Sequence, residues 1–337
     1  MQYGGSGSSM VACHIDAADL GVSCEITVHI RQDMKGPLHV FYEIDGFYQN
    51  HRSYLGSLNW DQLHPKGPKK DPDEDTLKED CKPLWKNGTK ILHPCGVMPN
   101  TLFNDVISLT NEELILKEDD IAWRSDIKEL YRMPEDFSWR FLPGSSDAND
   151  ACLVTGAYTS SIACDASLCA DAGWDSEICF GYVCTGGHFD NFACDSGELV
   201  VFTYGGHEKF QYLYETFPQV VSPLVGVNSE HFAVWMKIAA LPTFRKLYGR
   251  INANLDKGSV LTFQIENNFD VNAFSGKKAL IVATSNGFEL DFLALSYIIL
   301  GCASLGIAVV FASLQLLKPR HMGDIRYIPW LLSNKLP

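Results

Sequence analysis

The sequence predicts an α+β membrane protein: a β-rich antiparallel sandwich with helical excursions, followed by one C-terminal transmembrane helix. Three observations carry that class. Apolar and polar residues alternate in short runs near both ends of residues 1–291. A run of 26 residues at 292–317 holds no charge. Ten of the 11 cysteines precede residue 200, and the last, Cys302, sits inside the apolar run.

Taken in order, the chain begins with GGSGSS at 4–9, which reads as a flexible end: it follows no strand and holds no lysine, so it is no phosphate loop. The first strand is CEITVHIR, 24–31, where Ile26, Val28 and Ile30 alternate with polar neighbours. LHVFYEI, 38–44, repeats the pattern, and the linker QDMKGP makes the two a candidate hairpin. Residues 60–80, with Pro65, Pro68 and Pro72, read as a charged loop. DPDED at 71–75 resembles the opening of a calcium loop, but Thr76 stands where glycine is required and Lys82 where the final glutamate belongs. Asn87-Gly88-Thr89 is an N-glycosylation acceptor.

Residues 146–197 are rich in small residues and hold six cysteines. Such a stretch buries little apolar surface and needs cross-links to hold a shape, so it reads as a stapled insertion. Cys164-x4-Cys169 and Cys179-x4-Cys184 also fit zinc-ligand spacing, yet the segment is acidic and no paired histidines follow; disulfides are favoured.

At 244–251, Phe244, Leu247, Tyr248 and Ile251 fall at i, i+3, i+4 and i+7, which predicts a helix opening after Pro242 with its basic residues on other faces. VLTFQIE (260–266) and KALIVATS (278–285) return to strand alternation. Strands from both ends of the domain imply a sandwich closing on itself.

The run at 292–317 is long enough to cross a bilayer, about 39 Å at 1.5 Å per residue. Glu289 and Asp291 precede it, whereas Lys318, Arg320, Arg326 and Lys335 follow against one Asp324. The positive-inside rule then puts 318–337 in the cytosol and 1–291 in the lumen or outside the cell. Residues 1–30 hold neither a basic n-region nor an apolar h-region, so a hydrophobic segment upstream of Met1 is expected.

A net charge of -14 argues against nucleic acid, which a like-charged protein would be repelled by. The sequence offers no HExxH or GxSxG motif, its histidines are scattered, and no metal or cofactor site stands out; a non-enzyme is expected. One reading is a cell-surface receptor or adhesin binding a ligand through the cysteine-rich insertion.

Four blocks narrow the choice: FYQNHRSYL (47–55), PCGVMPNTLFND (94–105), IAWRSD (121–126) and HFAVWMKIAALPTFRKLYGRI (231–251). In content, order and spacing they resemble the cell division control protein 50, or ligand-effect modulator 3, family, the non-catalytic beta subunits of phospholipid-flipping type IV P-type ATPases. The resemblance covers roughly 13–145 and 211–325 and leaves 146–210 without a counterpart. It implies an ectodomain between two membrane helices, the first lying upstream of this chain, and residence in the endoplasmic reticulum, Golgi, endosomes or plasma membrane. It further implies a Cys81–Cys95 disulfide around Asn87 and, matched in part, a pairing of Cys13 and Cys24. The partners implied are the ATPase catalytic chain and membrane lipids, with the ATPase escorted out of the endoplasmic reticulum and steadied during transport. The segment 231–251 is the expected contact, through Trp235, Lys237, Pro242, Phe244, Arg245, Lys246, Tyr248 and Arg250.

Overall fold

The computed structural model describes residues 2–5, 21–63, 72–111, 113–131, 133, 209–222, 225–284 and 290–317, and by backbone alone the strands between 138 and 203. The chain divides into two compact units, residues 1–285 and 286–337.

Two antiparallel sheets form the body of the first unit. One runs in the order β1 (Gln2–Gly5), β17 (Lys277–Thr284), β3 (Leu38–Asp45), β15 (Phe244–Ile251) and β7 (Leu116–Lys117). The other places β16 (Val260–Asn267) between β2 (Val22–His29) and β6 (Val106–Leu109). The alternation explains the pairing of faces: Leu38, Val40, Tyr42 and Ile44 of β3 are buried, as are Ile26 of β2 and Leu261, Phe263 and Ile265 of β16, all in one core. Each such side chain removed from water contributes roughly 1.5–3 kcal/mol. The ring of Tyr42 stacks on Phe103 at 3.8 Å, and the Ile107 N–H of β6 donates to the Tyr248 hydroxyl of β15 at 2.9 Å, tying sheet to sheet.

Smaller elements decorate this sandwich. A sheet of β4 (Lys86–Asn87), β5 (Lys90–His93) and β14 (Phe210–Tyr212) contains the parallel pair β5–β14. A separate sheet orders β8 (Ser138–Leu142), β13 (Leu199–Thr203), β10 (Phe180–Val183) and β9 (Ile162–Ala163), beside a hairpin of β11 (Gly187–Phe189) and β12 (Phe192–Cys194). Short helices are α1 (Arg52–Leu55), α2 (Glu74–Asp80), α3 (Arg124–Leu130), α4 (Leu213–Thr216) and α5 (Glu230–Met236).

Four sequence expectations are corrected. The candidate hairpin does not form: β2 pairs with β16 and β3 with β15 and β17, so the two strands lie in different sheets. The residues GG at 4–5 belong to β1, whose glycine lets Lys278 pass; a Cβ on Gly4 would stand 2.7 Å from that side chain. Within 60–80, α2 forms because the Asp73 carboxylate accepts the Thr76 N–H and Glu74 and Asp75 occupy the first turn, the charge placement a helix N-terminus favours.

The fourth concerns 244–251, which is strand β15 and not a helix. Phe244, Lys246 and Tyr248 are buried at two-residue spacing. A bulge follows, with Leu247 opposite Phe41 and Gly249 opposite Val40, so the inward parity shifts by one and Ile251 is also buried. An extra residue in a period of two turns positions 244, 248 and 251 into a counterfeit of helical spacing. Gly249 is required where β7 closes in, since a Cβ there would lie 2.8 Å from Leu116 Cδ1.

The second unit is described through α6 (Leu290–Leu317), 28 residues long. Its segment Leu295–Leu317 contains an 18-residue stretch with a mean hydropathy of 2.2, and that stretch is unburied. Among the described residues it is the helix long and apolar enough to cross a membrane, and the Ser304 and Ser313 hydroxyls donate to the Leu300 and Val309 carbonyls at 2.8 Å, leaving no polar side-chain donor of theirs for lipid.

Candidate functional site

The four sequence blocks meet at α5. Its seven residues are all buried, a helix apolar enough to be enclosed on every side. Ser229 caps it by accepting the Phe232 N–H, and the Glu230 carboxylate accepts the N–H groups of Asp120 and Ala122 at 3.0 and 2.8 Å, fastening the 121–126 block to its first turn. His231 Nε2 lies 2.9 Å from Glu118. The Trp235 indole N–H donates to the Met98 carbonyl at 3.2 Å, and the Tyr54 hydroxyl reaches that oxygen at 3.3 Å, bringing in the 94–105 and 47–55 blocks. Buried Gln49 bridges the exit, donating to the Trp235 carbonyl and accepting the Ala239 N–H. Phe47 sits 5.7 Å from the Trp235 ring.

The C-terminal end of α5 is closed by a cation. Lys246 Nζ donates to the carbonyls of Val234, Trp235 and Lys237 at 3.0, 2.6 and 2.6 Å. Those oxygens have no further turn of helix to satisfy them, and the negative end of the helix dipole favours an ammonium there. Burial draws the lysine down to about 7, with the neighbouring Lys237 charge adding to the shift.

Outside this hub runs an open groove of about 300 Å³, walled by Ile121–Trp123 on one flank, by Val234 and Lys237–Ala239 on another, and floored by Arg245–Leu247. Trp123 is 71% exposed. Lys237 lies 4.5 Å above its ring and pairs with Asp126 at 2.8 Å, while Arg245 pairs with Glu43 at 2.6 Å. The expected contact residues therefore divide. Trp235, Phe244, Lys246 and Tyr248 are buried inside the chain, Pro242 is half-buried and accepts the Phe47 N–H, and Arg250 donates to the Asp119 carbonyl. Lys237 and Arg245 remain at the surface.

A second polar node closes the sandwich. Asp105 accepts the N–H groups of Asn268 and Phe269 on one oxygen, at 2.7 and 2.6 Å, and the Tyr3 hydroxyl and Lys278 ammonium on the other, at 2.9 and 2.6 Å. Lys278 also donates to the Phe269 carbonyl and to Asn267. Burial lowers the Lys278 pKa and the Asp105 charge opposes that shift.

Sequence reasoning missed Gln49, Asp105, Trp123, Glu230 and Lys278. Lys278 had a readable signal, since it shares strand parity with buried Leu280, and Lys246, expected at a contact, likewise shares parity with buried Phe244 and Tyr248. The others act across more than a hundred residues of chain, which spacing does not reveal.

Cys81 and Cys95 form a disulfide with their Cα atoms 5.6 Å apart. Cys24 is disulfide-bonded, whereas Cys13 and most of 146–197 lie outside the described residues. Asn87 stands exposed at the turn between β4 and β5, its amide donating to Gln211 at 3.1 Å. Among the described residues no cluster of side chains suits a metal ion.

Comparison with known proteins decides the family. The profile of the LEM3 (ligand-effect modulator 3) family / CDC50 family matches residues 9–170 and 193–321. The chain belongs to the CDC50 family. An Arabidopsis thaliana ALA-interacting subunit, number 4, is 31% identical over 91% of this chain and 70% of its own length. Mouse (Mus musculus) cell cycle control protein 50A is 27% identical over 86% of the chain and 67% of its own. The Saccharomyces cerevisiae phospholipid-transporting ATPase accessory subunit CRF1 is 27% identical over 91% and 63%. The CDC50 match leaves 171–192 between its two segments, a narrower break than the 146–210 expected.

Proposed function

We propose that this chain is the accessory beta subunit of a phospholipid-translocating P-type ATPase. The observation that carries the reading is the family match across 9–170 and 193–321, with relatives named as phospholipid-transporting ATPase accessory subunits. The CDC50-type body, residues 1–291, is lumenal or extracellular, α6 crosses the membrane against the pump's helices, and 318–337 is cytosolic. Aspartyl phosphorylation and ATP use belong to the other chain. This subunit would act by binding some pump conformations better than others, because a partner shifts an equilibrium only by its differential affinity. Escort from the endoplasmic reticulum and stability of the pump follow from the same binding. The disulfide Cys81–Cys95 and a glycan on Asn87 would preserve the small β4–β5 lobe in an oxidising compartment.

The test is a mild-detergent pull-down of the tagged protein with mass spectrometry, joined to uptake of fluorescent phospholipid in cells lacking the subunit. Recovery of a large polytopic P-type ATPase in near-equal amount, with transport restored by the chain, is the expected result. A folded, glycosylated chain that recovers no such ATPase would overturn it.

A further inference from the structure

The floor of the groove is the edge of a strand that has a neighbour on one side only. β3 pairs with β15 along Phe244–Leu247, but β7 reaches the opposite edge only at Arg250 and Ile251. In an antiparallel ladder alternate residues turn their N–H and C=O to opposite sides, so half of the backbone groups between Phe244 and Leu247 face the groove. Outside the ladder with β3, no backbone hydrogen bond among the described residues engages 244–247. Buried deeper, such groups would be costly; here they stand at the foot of an apolar wall of Ile121, Trp123 and Ile238.

Charge selects the occupant. The surface cations of the groove are each matched by a carboxylate of this chain, Lys237 by Asp126 and Arg245 by Glu43, and Lys246 turns inward to α5. An acidic peptide or a phosphate headgroup would have to displace those carboxylates. An uncharged segment would not. The stretch of edge at Phe244–Leu247 is four residues, roughly 13 Å of strand, which suits a short loop rather than a sheet brought by a second copy.

Building on the proposed function, we propose that the edge of β15 at Phe244–Leu247 takes one extended, uncharged apolar segment of the ATPase. The segment comes from a loop on the same side of the membrane, adds a strand to the five-stranded sheet, and seats a side chain between Trp123 and Ile238. Main-chain hydrogen bonds supply the affinity and the wall supplies the selectivity, the division of labour in strand addition.

The experiment uses the full chain co-expressed with its ATPase, carrying a photo-crosslinking amino acid in place of Trp123 or Ile238, and, as a control on the other sheet, in place of Val260. Cross-linked peptides are identified by mass spectrometry. Expected are links from 123 and 238 to one uncharged loop segment of the ATPase and none from 260. In parallel, Ile238→Asp lowers the recovered ATPase by about tenfold at unchanged chain level, as a buried contact residue does. Links to a second copy, to lipid or to another part of this chain overturn the docking proposal, as do links to the ATPase from 260 alone or no link from 123 or 238 while the ATPase is recovered. Absence of any ATPase from the wild-type pull-down overturns the subunit reading instead.

Discussion

Two lysines are buried among the described residues, and the fold compensates them in different ways. Lys278 is held by a full opposite charge: Asp105 on one side, with Asn267 Oδ1 and the Phe269 carbonyl accepting its other N–H groups. Lys246 meets no carboxylate among the described residues; three carbonyls at the end of α5 receive it. The first node joins the beginning of the described chain, through Tyr3, to strands near its end and is a closure of the sandwich. The second joins one helix to one strand beside the groove. A charge paired with a charge is sensitive to loss of either member, whereas a charge held by carbonyls can be withdrawn without stranding another ion.

The largest effect should follow from breaking the first node. Asp105→Ala leaves Lys278 without its counter-ion at 1% exposure and strips acceptors from two backbone N–H groups and Tyr3. A loss of about 3–5 kcal/mol is expected, the cost of a stranded buried charge, read as unfolding in urea of the detergent-purified chain or as its failure to mature in cells. The pair Asp105→Ala with Lys278→Met should recover part of that loss. If the single variant is as stable as wild type, the pair does not close the sandwich.

Lys246→Met should cost less, about 1–3 kcal/mol, since it orphans the Val234, Trp235 and Lys237 carbonyls but strands no ion. The same urea titration reads it. A loss equal to that of Asp105→Ala would remove the distinction between the nodes.

How much of this was legible follows from how far each contact reaches along the chain. Strand alternation at 24–31, 38–44, 260–266 and 278–285 was local, and the sandwich drawn from both ends formed from it. The β2–β3 hairpin failed because a short linker permits pairing without enforcing it, and the core claimed the two strands for separate sheets. Phe244, Leu247, Tyr248 and Ile251 misled because a bulge reproduces helical spacing, and only the partner strand distinguishes the two. The helix at Glu74–Asp80 was readable from Asp73 and its acidic first turn but was masked by Pro65, Pro68 and Pro72. Within the site, Lys278 stood on an inward parity and could have been found, and Lys246, expected at a contact, stood on an inward parity too. Glu230 with Asp120 and Ala122, or Gln49 with Ala239, join residues more than a hundred apart and leave no periodic trace.

A pH titration sharpens the comparison. Folding brings Lys246 from the ordinary lysine value of 10.5 down to about 7, through burial first and Lys237 second. Between those values the unfolded chain holds a proton that the folded chain releases, so stability rises with pH across this window and is flat in this group below about 7. Lys246→Met removes the group, so the difference between wild type and variant should slope by up to roughly one proton between pH 7 and 9. Unfolding midpoints and their urea slopes at several pH values give it. Parallel stability profiles for the two proteins would mean that the ammonium keeps its proton in the fold, held there by the three carbonyls.

The smallest effect should come from Arg245, one residue from Lys246 and on the opposite parity of the same strand. Its guanidinium pairs with Glu43 at 2.6 Å but is 61% exposed, so water already solvates much of the charge. Arg245→Ala is expected to change stability by about 0.5 kcal/mol or less, and less still in high salt, as exposed ion pairs do. In the pull-down the same variant frees the Glu43 carboxylate on β3, across β15 from the docking edge. An uncharged segment on the far edge of β15 meets little of that charge, so recovery of the ATPase should change little while the fold is unmoved. A large loss of stability would instead place Arg245 with the buried lysines, and the inward–outward parity of β15 would have failed to separate residues that hold the fold from residues that face a partner.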